Sequence, residues 1–117
     1  MPMVNSINIK AVGDICPGDK SIIGHGVLQK TKKFGPSYPL ELVKAYFTKA
    51  DLIIGNFEGL LTSSVEQCRR DSKIFCGRPS FSKALADVGF NVLNVANNHI
   101  LEHGSEIFKE TVGYLKE

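Results

Sequence analysis

The sequence predicts an α/β fold built from parallel β-α-β units. Three short apolar segments alternate with segments of helical periodicity, which is typical of strands joined by right-handed crossovers into a parallel sheet. Each apolar segment is followed by polar side chains, and ligands of such sheets bind outside the carboxyl ends of the strands. The same two observations therefore predict both the fold and the edge that carries the site.

The three predicted strands are recognised by apolar–polar alternation or by a short apolar run that stops at a turn. Because the carboxyl ends of parallel strands meet at one edge of a sheet, we expect the polar groups that follow them to lie close together. The strands are predicted at residues 7–12, 51–55 and 91–96, followed in turn by Asp14, by Asn56 with Glu58, and by Asn97, Asn98 and His99.

The predicted helices are marked by proline at the start and by apolar spacings of three and four. The clearest starts at Pro79, and Gly89 ends it in the position that a left-handed C-cap prefers. Between the strands and helices, Gly and Pro density predicts a long loop. The other segments are a helix at 40–49, a helix capped by Ser105, a loop at 15–39 with at most a short helical turn, and a connection at 60–78 in which 73–75 is extended.

The composition indicates one globular domain. The 117 residues are 43% hydrophobic and 22% charged, a balance that supplies a core without the charge excess of a disordered chain. The formal net charge is only +2, and the lysines at 30, 32 and 33 form a short run typical of a solvated loop, so nucleic-acid binding is not indicated.

The sequence carries no signal for export, membrane insertion or disulfide bonding. It has no membrane-spanning apolar run and no signal-peptide pattern at its start, which predicts a cytoplasmic protein, or a membrane-associated or extracytoplasmic one if an upstream signal or anchor precedes it. The three cysteines cannot all pair with one another and form no C-x-x-C motif, which favours a reducing compartment.

The residues at the strand ends can be interpreted in two ways, as turns or as a binding site. Gly13-Asp14 is either an ordinary turn or a hard carboxylate ligand for a divalent cation. The spacing of Asn56 and Glu58 along an extended backbone sends both side chains to one side. Two amides and an imidazole at 97–99 are either an Asn-rich turn or a site in which an amide oxygen binds metal and His99 donates a proton.

Four motifs occur in the order and at the intervals of a known family. They are Gly-Asp at 13–14, Gly-Asn-Phe-Glu-Gly-x-Leu-Thr at 55–62, Gly-Phe-Asn-Val at 89–92 and Ala-Asn-Asn-His-Ile-Leu-Glu-His-Gly at 96–104. From about Ile7 to its end, the chain thereby resembles the bacterial capsule synthesis and poly-γ-glutamate biosynthesis family, which is similar in fold to calcineurin-like metallophosphoesterases. The resemblance implies that residues 1–117 are the N-terminal half of a metallophosphoesterase-like α/β/β/α sandwich.

The resemblance also implies a role for each site residue. Asp14, Glu58 and Asn98 correspond to metal ligands, and His99 corresponds to the catalytic histidine, with Asn56 and Asn97 supporting the site. The implied cofactor is a divalent metal, manganese, magnesium or iron, with two ions in a complete domain, and the implied chemistry is hydrolysis of a phosphate ester. The implied partner is a phosphorylated or polyglutamate-related small molecule or polymer.

The chain departs from the hydrolase pattern in ways that keep two other functions open. Cys16 stands where such hydrolases have a histidine, Asn56 and Glu58 stand where they have aspartates, and the later histidine motifs are absent. The alternatives are a non-catalytic remnant of the same fold and a phosphate- or nucleotide-binding α/β module. Because a small parallel sheet leaves unpaired edges, we also expect self-association or dependence on a C-terminal half.

Overall fold

The computed structural model describes residues 5–19, 26–66 and 75–117. Five strands and three α-helices lie wholly within these ranges, with two short 3-10 helices before the second strand, and Val65 and Glu66 are also helical. The strands are β1 Ile9–Ile15, β2 Leu52–Phe57, β3 Leu60–Leu61, β4 Cys76–Gly77 and β5 Val92–Asn94; the α-helices are α1 Val27–Phe34, α2 Ser80–Val88 and α3 Gly104–Lys116; the 3-10 helices are Tyr38–Leu40 and Lys44–Phe47.

The main sheet is parallel and has the order β1-β2-β5. β2 lies at its centre and pairs with both neighbours, so each connection crosses over through helical structure. β3 and β4 form a second, two-stranded parallel sheet. The predicted α/β fold with parallel β-α-β units is therefore confirmed.

The core lies between the sheets and the helices α2 and α3. Phe57 of β2, Leu61 of β3 and Leu85 of α2 are each at most 1% exposed and belong to one apolar cluster. Ile107 and Phe108 of α3 pack against a second cluster that contains Leu60. In the part of the chain that the structure describes, no helix is long and apolar enough to cross a membrane.

The prediction for α2 is confirmed, including its end. The helix begins one residue after Pro79, and Gly89 adopts a left-handed conformation with φ 111° and ψ 8°. Its amide donates to the carbonyls of Leu85 and Ala86 at 3.2 and 2.9 Å. A glycine is needed here because side chains with a Cβ disfavour this region of backbone space.

The prediction of a loop from 15 to 39 is wrong, because α1 occupies 27–34. The breakers that predicted the loop flank this helix, at Gly26 and Gly35, and none lies inside it. Its first turn is capped from a distance: the buried carboxylate of Asp19 accepts from the amides of Leu28 at 2.7 Å and Gln29 at 3.0 Å. A cap eight residues before the helix leaves no local signal in the sequence.

The helix predicted at 40–49 is also wrong, because two 3-10 helices replace it. The apolar residues that gave the helical spacing do not share a buried face. Leu42 is 90% exposed and Tyr46 is 75% exposed, while Phe47 packs against Phe90 at a ring distance of 5.1 Å. Without a buried stripe, the segment lacks the packing that stabilises most α-helices in proteins.

Several boundaries differ from the predicted ones. β1 continues through Asp14 to Ile15, with irregular pairing after Ala11, and β5 ends at Asn94. The last helix begins at Gly104 and not after a Ser105 cap. Of the extended segment predicted at 73–75, only Phe75 lies within the described residues, and it precedes β4.

Candidate functional site

Three neighbouring strands place Asp14, Asn56 and Asn94 in one row across the sheet. Asp14 of β1 is the register partner of Asn56 in β2, and Asn56 is the register partner of Asn94 in β5. The row lies near the carboxyl ends of the strands, where the sequence predicted the site. Parallel pairing brings these residues together although they are 38 to 42 positions apart.

Asn56 is the centre of the row and uses both ends of its amide. Its Nδ2 donates to Oδ1 of Asp14 at 2.9 Å and to Oε2 of Glu58 at 2.8 Å. Its Oδ1 accepts from Nδ2 of Asn94 at 2.7 Å and from Nδ2 of Asn97 at 3.3 Å. One neutral side chain thus joins two carboxylates to two further amides.

Glu58 is held beside the sheet by its own backbone. Its amide donates to the carbonyl of Ile15 at 3.0 Å, which extends the pairing of β1 and β2 past the last residue of β2. The next residue, Gly59, has φ 155°, and a Cβ there would lie 2.3 Å from the carbonyl oxygen of Phe75. The Gly-Asn-Phe-Glu-Gly motif therefore needs its second glycine for a close backbone approach.

Asn97 anchors the segment that follows β5. Its Nδ2 donates to the carbonyl of Phe57 at 2.9 Å, and its Oδ1 accepts from the amide of His99 at 3.1 Å. These bonds tie the 97–99 turn to the end of β2.

The His99 ring lies between two carboxylates. Its Nε2 lies 3.3 Å from Oε1 of Glu58 and 3.3 Å from Nδ2 of Asn98, and its Nδ1 lies 2.8 Å from Oε1 of Glu102. The ring of Phe75 meets it edge to face at 4.8 Å. The side chains of His99 and Glu58 are 17% and 18% exposed, so the ring is contacted from several sides and only partly exposed to solvent.

Cys16 borders this site without joining its hydrogen-bond network. Burial raises the pKa of its thiol above the usual value, and the negative charges of Glu58 and Asp14 raise it further. The thiol is therefore kept in its protonated form at neutral pH. Cys16 is half-buried, Cys76 is buried, and Cys68 lies outside the described residues.

The donor set fits a hard divalent cation better than a soft one. Oδ1 of Asp14 and Oε2 of Glu58 converge on the same nitrogen, and carboxylate and amide oxygens suit magnesium or manganese. Within residues 5–19, 26–66 and 75–117, however, no group of three or more His, Cys, Asp or Glu side chains is close enough to hold a metal ion. Oxygen donors from asparagine would have to complete the coordination.

The structure brings all six predicted site residues into one connected network. Asp14, Glu58 and Asn97 contact Asn56, while Asn98 is linked to Glu58 through His99. Two members were not selected from the sequence, Asn94 and Glu102. Asn94 looked like an ordinary polar position of an alternating strand, and only its register with Asn56 reveals its place. Glu102 lies three residues after His99, inside the motif at 96–104, and that motif was the signal that could have selected it.

The fold and this edge define a class of protein: an α/β protein of parallel strands with a polar, carboxylate-containing site at the carboxyl ends. The model of one family, bacterial capsule synthesis protein PGA_cap, matches residues 8–117. The chain therefore belongs to the bacterial capsule synthesis family. No solved structure matches the chain.

Two curated relatives are similar to most of the chain. The capsule biosynthesis protein CapA of Bacillus anthracis is 31% identical over 114 residues, which are 95% of this chain and 26% of that protein. The PGA biosynthesis protein CapA of Bacillus subtilis (strain 168) is 33% identical over 103 residues, 87% of this chain and 26% of that protein. The chain thus spans about a quarter of the length of these relatives.

Proposed function

We propose that this chain is the N-terminal part of a metal-dependent phosphoesterase-like domain that acts in capsule or poly-γ-glutamate biosynthesis. One observation carries the proposal: Asp14 and Glu58 converge on the amide of Asn56, and His99, from the segment that follows the third strand, contacts Glu58. Membership of the capsule synthesis family supports the biological process. The substrate would be a phosphorylated or polyglutamate-related molecule.

The carboxylates of Asp14 and Glu58 would hold the cation, with an amide oxygen of Asn98 as a further ligand. Manganese, magnesium or iron are the ions that suit this donor set, and two of them would be held by the complete domain. When bound, such an ion polarises a phosphoryl oxygen and makes a water molecule nucleophilic near neutral pH. This chain offers few ligands, so we expect it to bind one ion weakly.

His99 would protonate the leaving oxygen of the ester. Nδ1 of the ring lies 2.8 Å from Oε1 of Glu102, and Nε2 faces Glu58 at 3.3 Å. The edge-to-face contact with Phe75 restricts rotation of the ring. A histidine oriented in this way can hold a proton at Nε2 and transfer it to an oxygen within hydrogen-bond reach.

A second candidate is a non-catalytic module that binds phosphate or a nucleotide. The amide-rich composition of the edge favours it, since Asn56, Asn94 and Asn97 outnumber the two carboxylates that contact Asn56. Amide NH₂ groups donate to phosphate oxygens without a metal. This module would bind phosphate equally well in the presence of a chelator.

Calorimetric titration of the chain with Mn²⁺ tests the metal site. We expect weak binding of one ion that is lost in Glu58→Gln, because the substitution removes a charged ligand and keeps the shape of the side chain. Glu41→Gln is the matched control, since Glu41 is exposed and lies in another part of the chain. Equal Mn²⁺ binding by wild type and Glu58→Gln would contradict the assignment of Glu58.

A chimera tests the chemistry. The matching segment of the Bacillus subtilis relative is replaced by this chain, and hydrolysis of an aryl phosphate is measured with Mn²⁺ and with EDTA. We expect a Mn²⁺-dependent rate that falls about a hundredfold or more in Glu58→Gln and in His99→Gln. Phosphate binding that is unaffected by EDTA, without hydrolysis, would support the second candidate instead.

A further inference from the structure

The amide of Asn56 occupies the position between two carboxylates that repel each other. Its Nδ2 lies 2.9 Å from Oδ1 of Asp14 and 2.8 Å from Oε2 of Glu58. The like charges of two carboxylates this near to one point repel each other unless a donor or a cation lies between them. The NH₂ group has two hydrogens, and each carboxylate receives one of them.

Two other asparagines fix the orientation of this amide. Oδ1 of Asn56 accepts from Nδ2 of Asn94 at 2.7 Å and from Nδ2 of Asn97 at 3.3 Å. A half-turn of the amide would set its oxygen against the two carboxylates and its NH₂ group against two other NH₂ groups. All four contacts would then become repulsive, so the observed orientation is the one that its neighbours select.

We propose that Asn56 is a positioning residue whose NH₂ group takes the place of a cation between Asp14 and Glu58. It holds the two carboxylates together in the metal-free protein and gives up that position when a cation binds. Asn94 and Asn97 keep the NH₂ group turned toward the carboxylates. This inference rests on the proposed function for the identity of the cation. The bridge that Asn56 forms between the two carboxylates concerns the metal-free protein alone.

The proposal predicts opposite effects of one substitution on stability and on metal affinity. In Asn56→Asp, one oxygen still accepts from Asn94 and Asn97, while the other adds a third negative charge beside Asp14 and Glu58. The metal-free variant should be less stable than wild type because the carboxylates have lost their donor. Its affinity for Mn²⁺ should rise about tenfold or more, because ligand charge governs the affinity of such sites.

The experiment measures the melting temperature of the 117-residue chain in EDTA and at increasing Mn²⁺ concentration. For Asn56→Asp we expect a loss of about 4 °C or more in EDTA. Mn²⁺ should restore this loss and raise the melting temperature further than it does for wild type. Asn5→Asp is the matched control, because it adds the same charge at an exposed position away from the site and should change neither value.

Asn56→Ala provides a second variant should Asn56→Asp fail to fold. It removes the bridging donor without adding charge, so we expect a smaller loss in EDTA that Mn²⁺ also restores. Wild-type stability of both variants in EDTA would overturn the proposal. So would a loss that Mn²⁺ does not restore, because the amide would then not be standing in for a cation.

These outcomes are separable from failure of the proposed function. Mn²⁺-dependent hydrolysis by the chimera without any Mn²⁺ recovery of the Asn56 variants would overturn this inference and leave the phosphoesterase proposal standing. Recovery of Asn56→Asp by Mn²⁺ without hydrolysis by the chimera would leave this inference standing and overturn the phosphoesterase proposal.

Discussion

A single carboxylate, that of Glu110, stabilises the fold away from the site. Glu110 of α3 accepts a hydrogen bond from the amide of Ser63 at 3.0 Å and from the hydroxyl of Thr62 at 2.7 Å. Tyr114 donates to the same carboxylate at 3.3 Å. The network joins the last helix to the chain that follows β3, on residues that the site does not use.

The pKa of Glu110 gives a prediction of pH dependence. Burial tends to raise this pKa, but hydrogen bonds from Ser63, Thr62 and Tyr114 outweigh it and hold the pKa below its usual value. A lowered folded-state pKa contributes stability that is present above the unfolded-state pKa of about 4.3 and is lost as pH falls through the folded-state pKa. Glu110→Gln should therefore lower the free energy of unfolding at pH 7 by about 1 kcal/mol, and the difference should shrink in acid.

Urea unfolding of wild type and Glu110→Gln at neutral pH and at about pH 3 checks whether the difference in the free energy of unfolding shrinks in acid. Glu106→Gln is the control, because Glu106 lies in the same helix, is 83% exposed in its side chain and pairs only with the exposed Lys109 in the described network. A difference between wild type and Glu110→Gln that grows as pH falls would refute the assignment.

Secondary-structure elements in this chain depend on residues at their ends. α2 ends at a glycine in the left-handed region, whereas Gly113 lies inside α3 with open space around it. Alanine at the two positions should change the stability of the protein in opposite directions. The left-handed backbone at Gly89 disfavours a Cβ, whereas the helical backbone at Gly113 accepts one.

Gly89→Ala should destabilise the protein by about 1 kcal/mol or more, and its Cβ would also lie 3.0 Å from Cδ1 of Ile53. Gly113→Ala should stabilise it by about 0.5 to 1 kcal/mol, because alanine loses less conformational entropy in a helix. Thermal unfolding of the two variants measures both. Two shifts in the same direction would show that the left-handed cap does not govern the end of α2.

At the scale of the whole molecule, both edge strands of the main sheet, β1 and β5, expose apolar side chains. Ile9 and Val12 of β1 are 55% and 38% exposed, and Val92 of β5 is 40% exposed. An open, apolar edge strand is a template for pairing with another chain. The structure thus supplies a physical reason for the expected self-association or dependence on a further part of the domain.

Light scattering over a range of concentrations tests this expectation on the isolated chain. We expect the mean mass to rise above that of the monomer as concentration increases. Ile9→Lys should reduce the rise, because a charge on an edge strand opposes strand pairing. Lys83→Ile is the control with the opposite substitution: it replaces an exposed charge on α2 with isoleucine and leaves β1 unchanged. A stable monomer at all concentrations would contradict the expectation.

The sequence by itself determined the alternation of strands and helices, the extent of α2 with its glycine cap, and the edge at which Asp14, Glu58 and His99 meet. These features depend on periodicity, on caps within a few residues, and on the rule that parallel strands end together. Only the tertiary structure decided that α1 exists, that 40–49 is not an α-helix, and that Asn94 and Glu102 belong to the site. The start of α1 depends on the Asp19 carboxylate, and the conformation of 40–49 depends on burial. The place of Asn94 depends on strand register, and that of Glu102 on the turn that brings it to the His99 ring. Periodicity and capping patterns in the sequence do not indicate such contacts.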